Sequence, residues 1–145
     1  MAEGPAKASV IWDTKIAVVL RDDLADWQKL NVTAFTISGI VATVENVVGE
    51  PYVDGSGNTY LPMFRQPVLV FIATTDKLRQ IHDRALRRAV PMAIYTEDLF
   101  VTNNDEDNRA MVRDVETEKL NLVGLALRAD RRVVDKIVKG AALHP

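Results

Sequence analysis

The stretch KIAVVLRDDLADWQKLN, Lys15 to Asn31, constrains the fold more than any other part of the chain. Ile16 to Leu20 is a continuous apolar run of the kind found in strands buried on both faces. It passes through Arg21, Asp22 and Asp23 into a segment that Asp26 can cap as a helix. A strand covered on both sides needs a layer above it and a layer below, and a strand that feeds directly into a helix supplies one of them. An α/β layered domain is the consequence.

The same alternation continues. Trp27, Leu30, Ala34, Ile37, Val41, Val44 and Val48 are spaced by steps of three and four, so this stripe is expected to pack on the sheet, with Gly49 ending the helix. Asp54-Gly55-Ser56-Gly57-Asn58 reads as the turn of a small hairpin between Glu50–Val53 and Thr59–Phe64. Val68 to Ala73 is a second buried-strand run, and Thr75 or Asp76 caps a helix from Lys77 to about Ala89. After Pro91 comes a third strand, Met92 to Tyr95. Glu97 to Glu118 is a long polar connection, least regular at Thr102 to Asp105, with short helices on either side. Asn121 to Leu127 is the last strand, and Asp130 caps a closing helix that Gly140 terminates. The pattern predicts a three-layer α/β/α domain over residues 14–145, with a mixed, mostly parallel sheet of about four strands plus the hairpin. Residues 1–13 read as a loose leader.

Composition narrows the function. Apolar residues make up 48% of the chain and charged ones 26%, the balance of a globular protein. No apolar run approaches the roughly 18 residues that span a bilayer, and the first residues lack the apolar stretch of a secretory signal, so a cytoplasmic protein without membrane contact is expected. With no cysteine there is no thiolate nucleophile, disulfide or Cys-ligated metal. A net charge of -2 argues against tight nucleic-acid binding, which needs an excess of cations to neutralise phosphates. Phosphate loops, dinucleotide-binding turns and nucleophile elbows are absent, and no cofactor or metal is implied.

In sheets of this class ligands gather beyond the carboxyl ends of the strands. That rule singles out Arg21 to Lys29, the residues after Ala73, the Tyr95 to Asp98 turn and Arg128 to Arg132. Lys29 stands in the first turn of its helix, where the positive end of the helix dipole disfavours a cation. It either pairs with Asp22, Asp23 or Asp26, or holds an anion or a developing oxyanion. Asp22 and Asp23 are turn residues or partners of Lys29. Arg128 either offsets those acids or binds a phosphate or carboxylate. Tyr60 to Pro67, which contains Arg65, is more apolar than a solvent loop requires and points to a pocket wall or a dimer contact.

Lys15 to Asn31, EPYVDGSGNTYLPMFRQPVLVF, AVPMAIYTEDLF, VGLALR and the closing VDKIVKGAALHP together resemble an uncharacterised bacterial family of small proteins known only as a domain of unknown function. That family is in turn similar to the type 2 peptidyl-tRNA hydrolases, which open with a strand, an Asp-Leu pair and a helix bearing a lysine. The resemblance implies that fold, with the hydrolase lysine at Lys29 and its glutamine partner at Thr33. The later acidic, glycine and threonine motif of the hydrolases has no counterpart in Thr102 to Arg113. The expected site therefore combines Lys29 and Asp23 as catalytic candidates with Asp22, Thr33, Arg65, Tyr95, Asp98 and Arg128 as ligand contacts. Three readings follow: a ligand-binding or regulatory domain, homodimeric, that takes a small anionic or carbonyl-containing molecule at Lys29; a hydrolase of an ester or amide; or a structural subunit.

Overall fold

The computed structural model describes residues 10–145, so most of the expected leader lies outside the described residues. In chain order the elements are β1 (Thr14–Arg21), α1 (Asp26–Thr43), β2 (Tyr52–Val53), β3 (Thr59–Tyr60), β4 (Val68–Ala73), α2 (Thr75–Arg87), β5 (Met92–Thr96), α3 (Asp105–Arg113), β6 (Leu122–Asp130), α4 (Arg131–Ile137) and β7 (Ala142–Leu143). Two 3-10 turns, Glu97–Val101 and Thr117–Lys119, flank α3. The α/β class, the hairpin and the short helices in the long connection are as the sequence predicts.

The main sheet has the order β5-β6-β1-β4-β7, and β2 pairs with β3 in a separate two-stranded sheet. The sheet is mixed, as expected, but its pairings are less parallel. β1 and β4 are parallel, whereas β6 runs antiparallel to both β1 and β5, and β7 antiparallel to β4. The last long strand inserts between β1 and β5, which still share one direction. β7 follows the left-handed Gly140 (φ 102°) and is too short to announce itself in sequence.

β1 is buried on both faces. Ala17 and Val19 join Leu78, Ile81, Leu125 and Ile137 under α2 and α4, while Val18 and Leu20 join Val32, Ile40 and Ala126 under α1. A register shift between Tyr95 and Thr96 leaves Val123 without a partner on β5, and Val123 accordingly turns to the α1 side next to Gly124.

α1 corrects the stripe expected to face the sheet. Val32, Thr36 and Ile40 are its buried residues, whereas Trp27, Leu30 and Val41 are 61%, 73% and 44% exposed. The cause lies on β6. A Cβ added to Gly124 would stand 2.5 Å from Val32 Cγ1, so the helix backbone lies close to the sheet, and only small or β-branched side chains fit between them. Thr36 meets this condition by donating its hydroxyl to Val32 O at 2.8 Å within the helix. The helix starts after Ala25, whose N–H donates to Gln28 Oε1 at 2.9 Å, with Asp26 already helical. It stops at Thr43, short of Gly49, because Val44 turns extended and Asn46 adopts φ 60°. In α2 the cap is Thr74, whose Oγ1 accepts from Lys77 N, one residue earlier than expected. Asp130 caps α4 as expected, accepting from Arg132 N at 2.9 Å.

Candidate functional site

β1, β4 and β5 share one direction, so their carboxyl ends meet at one end of the sheet, and three of the four segments chosen by the crevice rule gather there. Arg128 does not. It lies on antiparallel β6, opposite Ile16, roughly 17 Å along β1 from Arg21 at about 3.3 Å per residue. Its Nε donates to Gln66 Oε1 at 3.1 Å, and Gln66 Nε2 donates to Thr14 O at 3.1 Å, which ties the loop before β4 to the start of β1. Arg65 is near that same end, reaching Asn46 O at 3.5 Å beside Gly49. Neither arginine shares a pocket with Lys29.

At the carboxyl end, Arg21 is the buried cation. Its Nε donates to Asp23 Oδ1 at 2.6 Å, its Nη1 to Asn121 Oδ1 at 3.2 Å, and its Nη2 lies 3.7 Å from Glu97 Oε1. Asn121 Nδ2 donates to Glu97 Oε2, and Glu97 N to Asn121 O at 2.9 Å. The result is a clamp across the ends of β1, β5 and β6, and it occupies the Asp23 carboxylate. Lys29 makes none of the ion pairs among the described residues. Its Nζ lies 3.1 Å from His144 Nε2 instead, a contact across 115 positions that the sequence does not reveal. Thr33 donates back to Lys29 O at 2.8 Å, Asp22 N donates to Ala73 O at 2.9 Å, and Asp98 is exposed on the 3-10 turn after β5.

Tyr95 is where the expected site meets a cavity. A groove of about 550 Å³ opens between α1, the end of β5 and the start of α3, a size in the range of small-molecule sites. Trp27, Asn31, Phe35 and Ser38 line it from α1. Successive residues of a helix are 100° apart, so Lys29, two positions from both Trp27 and Asn31, points away from the groove. Tyr95 forms the floor, with Phe35 edge-on at 5.7 Å and Phe100 tilted at 5.1 Å, and Trp27 meets Phe100 edge-on at 5.7 Å. The Tyr95 hydroxyl accepts from Asn31 Nδ2 at 3.2 Å and donates to Leu99 O at 3.3 Å. Burial raises its pKa above the ordinary 10.0, opposed by the Asn31 hydrogen bond.

The far wall carries amides. Asn104 caps α3 by accepting from Asp107 N at 2.9 Å, and Asn108 Oδ1 accepts from the Thr102 hydroxyl. Among the described residues these bonds leave Asn31 with a free acceptor and Asn108 with a free amide donor on opposite sides of the groove. A second cavity of about 440 Å³ continues past Phe35 and Asn108 toward Arg109 and Arg113. Sequence reasoning passed over Trp27, Asn31, Phe35, Phe100 and Asn108. The available signal was the spacing of Trp27, Asn31, Phe35 and Ser38 along one flank of a helix, together with the amide-rich Thr102 to Asn108. Among the described residues no cluster of three or more His, Asp or Glu could hold a metal, and no helix is long and apolar enough to cross a membrane.

Fold and groove define a small α/β domain that offers an aromatic and amide-lined crevice at the carboxyl end of its codirectional strands. The chain belongs to the family described as Protein of unknown function (DUF2000), which matches residues 14–145. Among solved structures it is similar to the protein of unknown function Atu0240 from Agrobacterium tumefaciens str. C58, with 52% identity and a TM-score of 0.91, covering 93% of this chain and 100% of that one. No curated protein matches the chain.

Proposed function

We propose that the chain is a small cytoplasmic ligand-binding or regulatory domain, and that it takes a small, uncharged, planar polar molecule in the groove between α1 and α3. The observation that carries this reading is the Tyr95 floor. Exposed Trp27 and Phe35 offer aromatic faces over it, while Asn31 and Asn108 present an acceptor and a donor. Such a wall suits a flat ring with a mixed hydrogen-bonding edge. No cation lines the larger cavity, so an anion around Lys29 is the less favoured ligand.

The test uses Trp12→Phe, which leaves Trp27 as the sole tryptophan, and titrates adenine, uracil and nicotinamide while following its fluorescence. Saturable quenching is expected. Asn31→Ala should weaken it about five- to tenfold, the scale of one lost hydrogen bond, and Lys29→Met should leave it unchanged. Absence of saturation with all three compounds, or an equal loss in Lys29→Met, refutes the assignment.

A second reading, hydrolysis of an ester or amide at Lys29 in the manner of the type 2 peptidyl-tRNA hydrolases, is favoured by one observation. Lys29 faces His144 rather than an acid, and an N–H···N bond requires one of the two nitrogens to offer a lone pair. Turnover of an aminoacyl ester that falls at least a hundredfold in Lys29→Met would establish it. The Arg21 bond to Asp23 counts against it, because that carboxylate is already engaged.

A further inference from the structure

The most regular apolar stripe of the chain faces solvent. Trp27, Leu30, Ala34, Ile37, Val41 and Val44 repeat at steps of three and four, the 3.5-residue period of a helix that packs on another helix. Ile37 and Val44 lean on the α1-side core, while Trp27, Leu30, Ala34 and Val41 are exposed. From Leu30 to Val44 the chain contains no charged residue, although this is the surface side of an 18-residue helix. By contrast α2 and α3 carry exposed charges, among them Asp76, Arg87, Asp105 and Arg109.

We propose that this seam is a homodimer contact, in which α1 of one copy packs antiparallel on α1 of a second copy across a twofold axis close to Ala34. Two arguments select a second copy as the occupant. The first is electrostatic. On a twofold axis each residue meets its own counterpart, so any charge there would meet a like charge, and the seam holds none. The smallest residue of the stripe, Ala34, lies at its middle, where two helices 8–10 Å apart come nearest. The second is area. With Leu30, Trp27 and Val41 73%, 61% and 44% exposed, and Ala34 exposed between them, covering the seam removes on the order of 400 Å² from each copy. The total of roughly 800 Å² lies below the standard size of a specific interface, so the dimer is of the weak, micromolar kind. The seam adjoins the groove at Trp27 but otherwise uses a separate flank of the helix, so the proposal stands without the ligand reading.

Sedimentation of the full chain from about 1 to 500 µM tests it. The wild type should pass from the monomer mass of 16.1 kDa to twice that value with rising concentration. Leu30→Glu, at a position too exposed to disturb the fold, should weaken association at least tenfold while thermal unfolding at about 1 µM, where the wild type is monomeric, stays unchanged. Because the chain has no cysteine, Ala34→Cys introduces a single thiol. Under mild oxidation it should crosslink the dimer, whereas Gln80→Cys on exposed α2 should not. A wild type that stays monomeric, a dimer that Leu30→Glu leaves intact, or an Ala34→Cys variant that crosslinks no more than the control each overturns the proposal. A chain that stays monomeric yet captures an apolar helical peptide likewise overturns it, in favour of a different protein as the occupant.

Discussion

Gly124→Ala probes the contact that sets which way α1 faces. The added methyl would stand 2.5 Å from Val32 Cγ1 and 3.2 Å from both Leu20 Cδ2 and Val19 O. The first distance is about 1 Å inside the 3.5–4.0 Å optimum for carbon atoms. Val32 cannot withdraw, because it is fully buried and a β-branched side chain in a helix has one strongly preferred rotamer. The helix has to lift or turn instead. Overpacking of this kind costs about 1–3 kcal/mol, offset by about 0.5–1 kcal/mol from removing a glycine from the unfolded chain, which leaves a net loss of about 1–2 kcal/mol. Val32→Ala alone should lose about 2 kcal/mol, from two methyl groups and the cavity they leave. In the double variant the methyl at 124 enters that cavity, so the losses should fall short of additivity by about 1–2 kcal/mol. Urea unfolding of the four proteins measures all three quantities. If Gly124→Ala is neutral, or if the two losses simply add, α1 does not approach β6 as described, and the outward face of its stripe falls with it.

Two further outcomes are expected. Asp54 accepts from the Tyr60 hydroxyl at 2.7 Å and from the backbone of Asn58 and Ser56, and these bonds lower its pKa from 3.8 to about 2. Its contribution to the hairpin is therefore present above about 3.8 and lost as pH falls through about 2, a transition that carboxyl NMR titration should place there and that a midpoint near 3.8 would contradict. The Tyr95 pKa is raised by burial, so its share of stability is present below 10.0 and lost as pH rises through its higher folded value. Wild type should thus lose stability above pH 10 by a step that Tyr95→Phe lacks in alkaline unfolding curves, and the same variant, deprived of the bonds to Asn31 and Leu99, should lose about 1 kcal/mol at neutral pH.

The four longer strands of the main sheet were legible because burial on one or both faces leaves a plain apolar record, and helix starts were legible to within two residues because caps are local. Direction was not. Arg128 is a carboxyl-end residue only if the last strand runs parallel, since reversing a strand exchanges its ends without changing its composition. The facing of α1 misled for a different reason. Trp27, Leu30, Ala34 and Val41 mark the outer stripe, whereas the buried one offers Val32, Thr36 and Ile40, because close approach to Gly124 excludes larger side chains. Counting hydrophobic residues chooses the wrong side whenever the outer face has a second demand on it. The candidate groove was half legible. Topology places Tyr95 and its turn at the end where the groove opens, but Asn31 and Phe35 carry no motif, and their place in it depends on what the long connection brings opposite them.

α1 therefore answers to three neighbours at once, and its composition follows from that. The sheet asks for compact residues at 32, 36 and 40; the groove asks for amides and aromatic faces at 27, 31 and 35; the outer flank carries Leu30, Ala34 and Val41. An ordinary surface helix relieves such crowding by giving its outer face to charged residues, which is what α2 does with Asp76, Lys77 and Arg87. α1 has no face left for them between Leu30 and Val44. Its helical amphipathicity is lost for the same reason that the chain resists reading by periodicity: the apolar residues are spent on more than one surface. A helix without a charged residue from Leu30 to Thr43 has no face given over to water alone. In the isolated chain only one side of α1 is buried, and the remaining sides are the ones that a ligand and a second copy would cover.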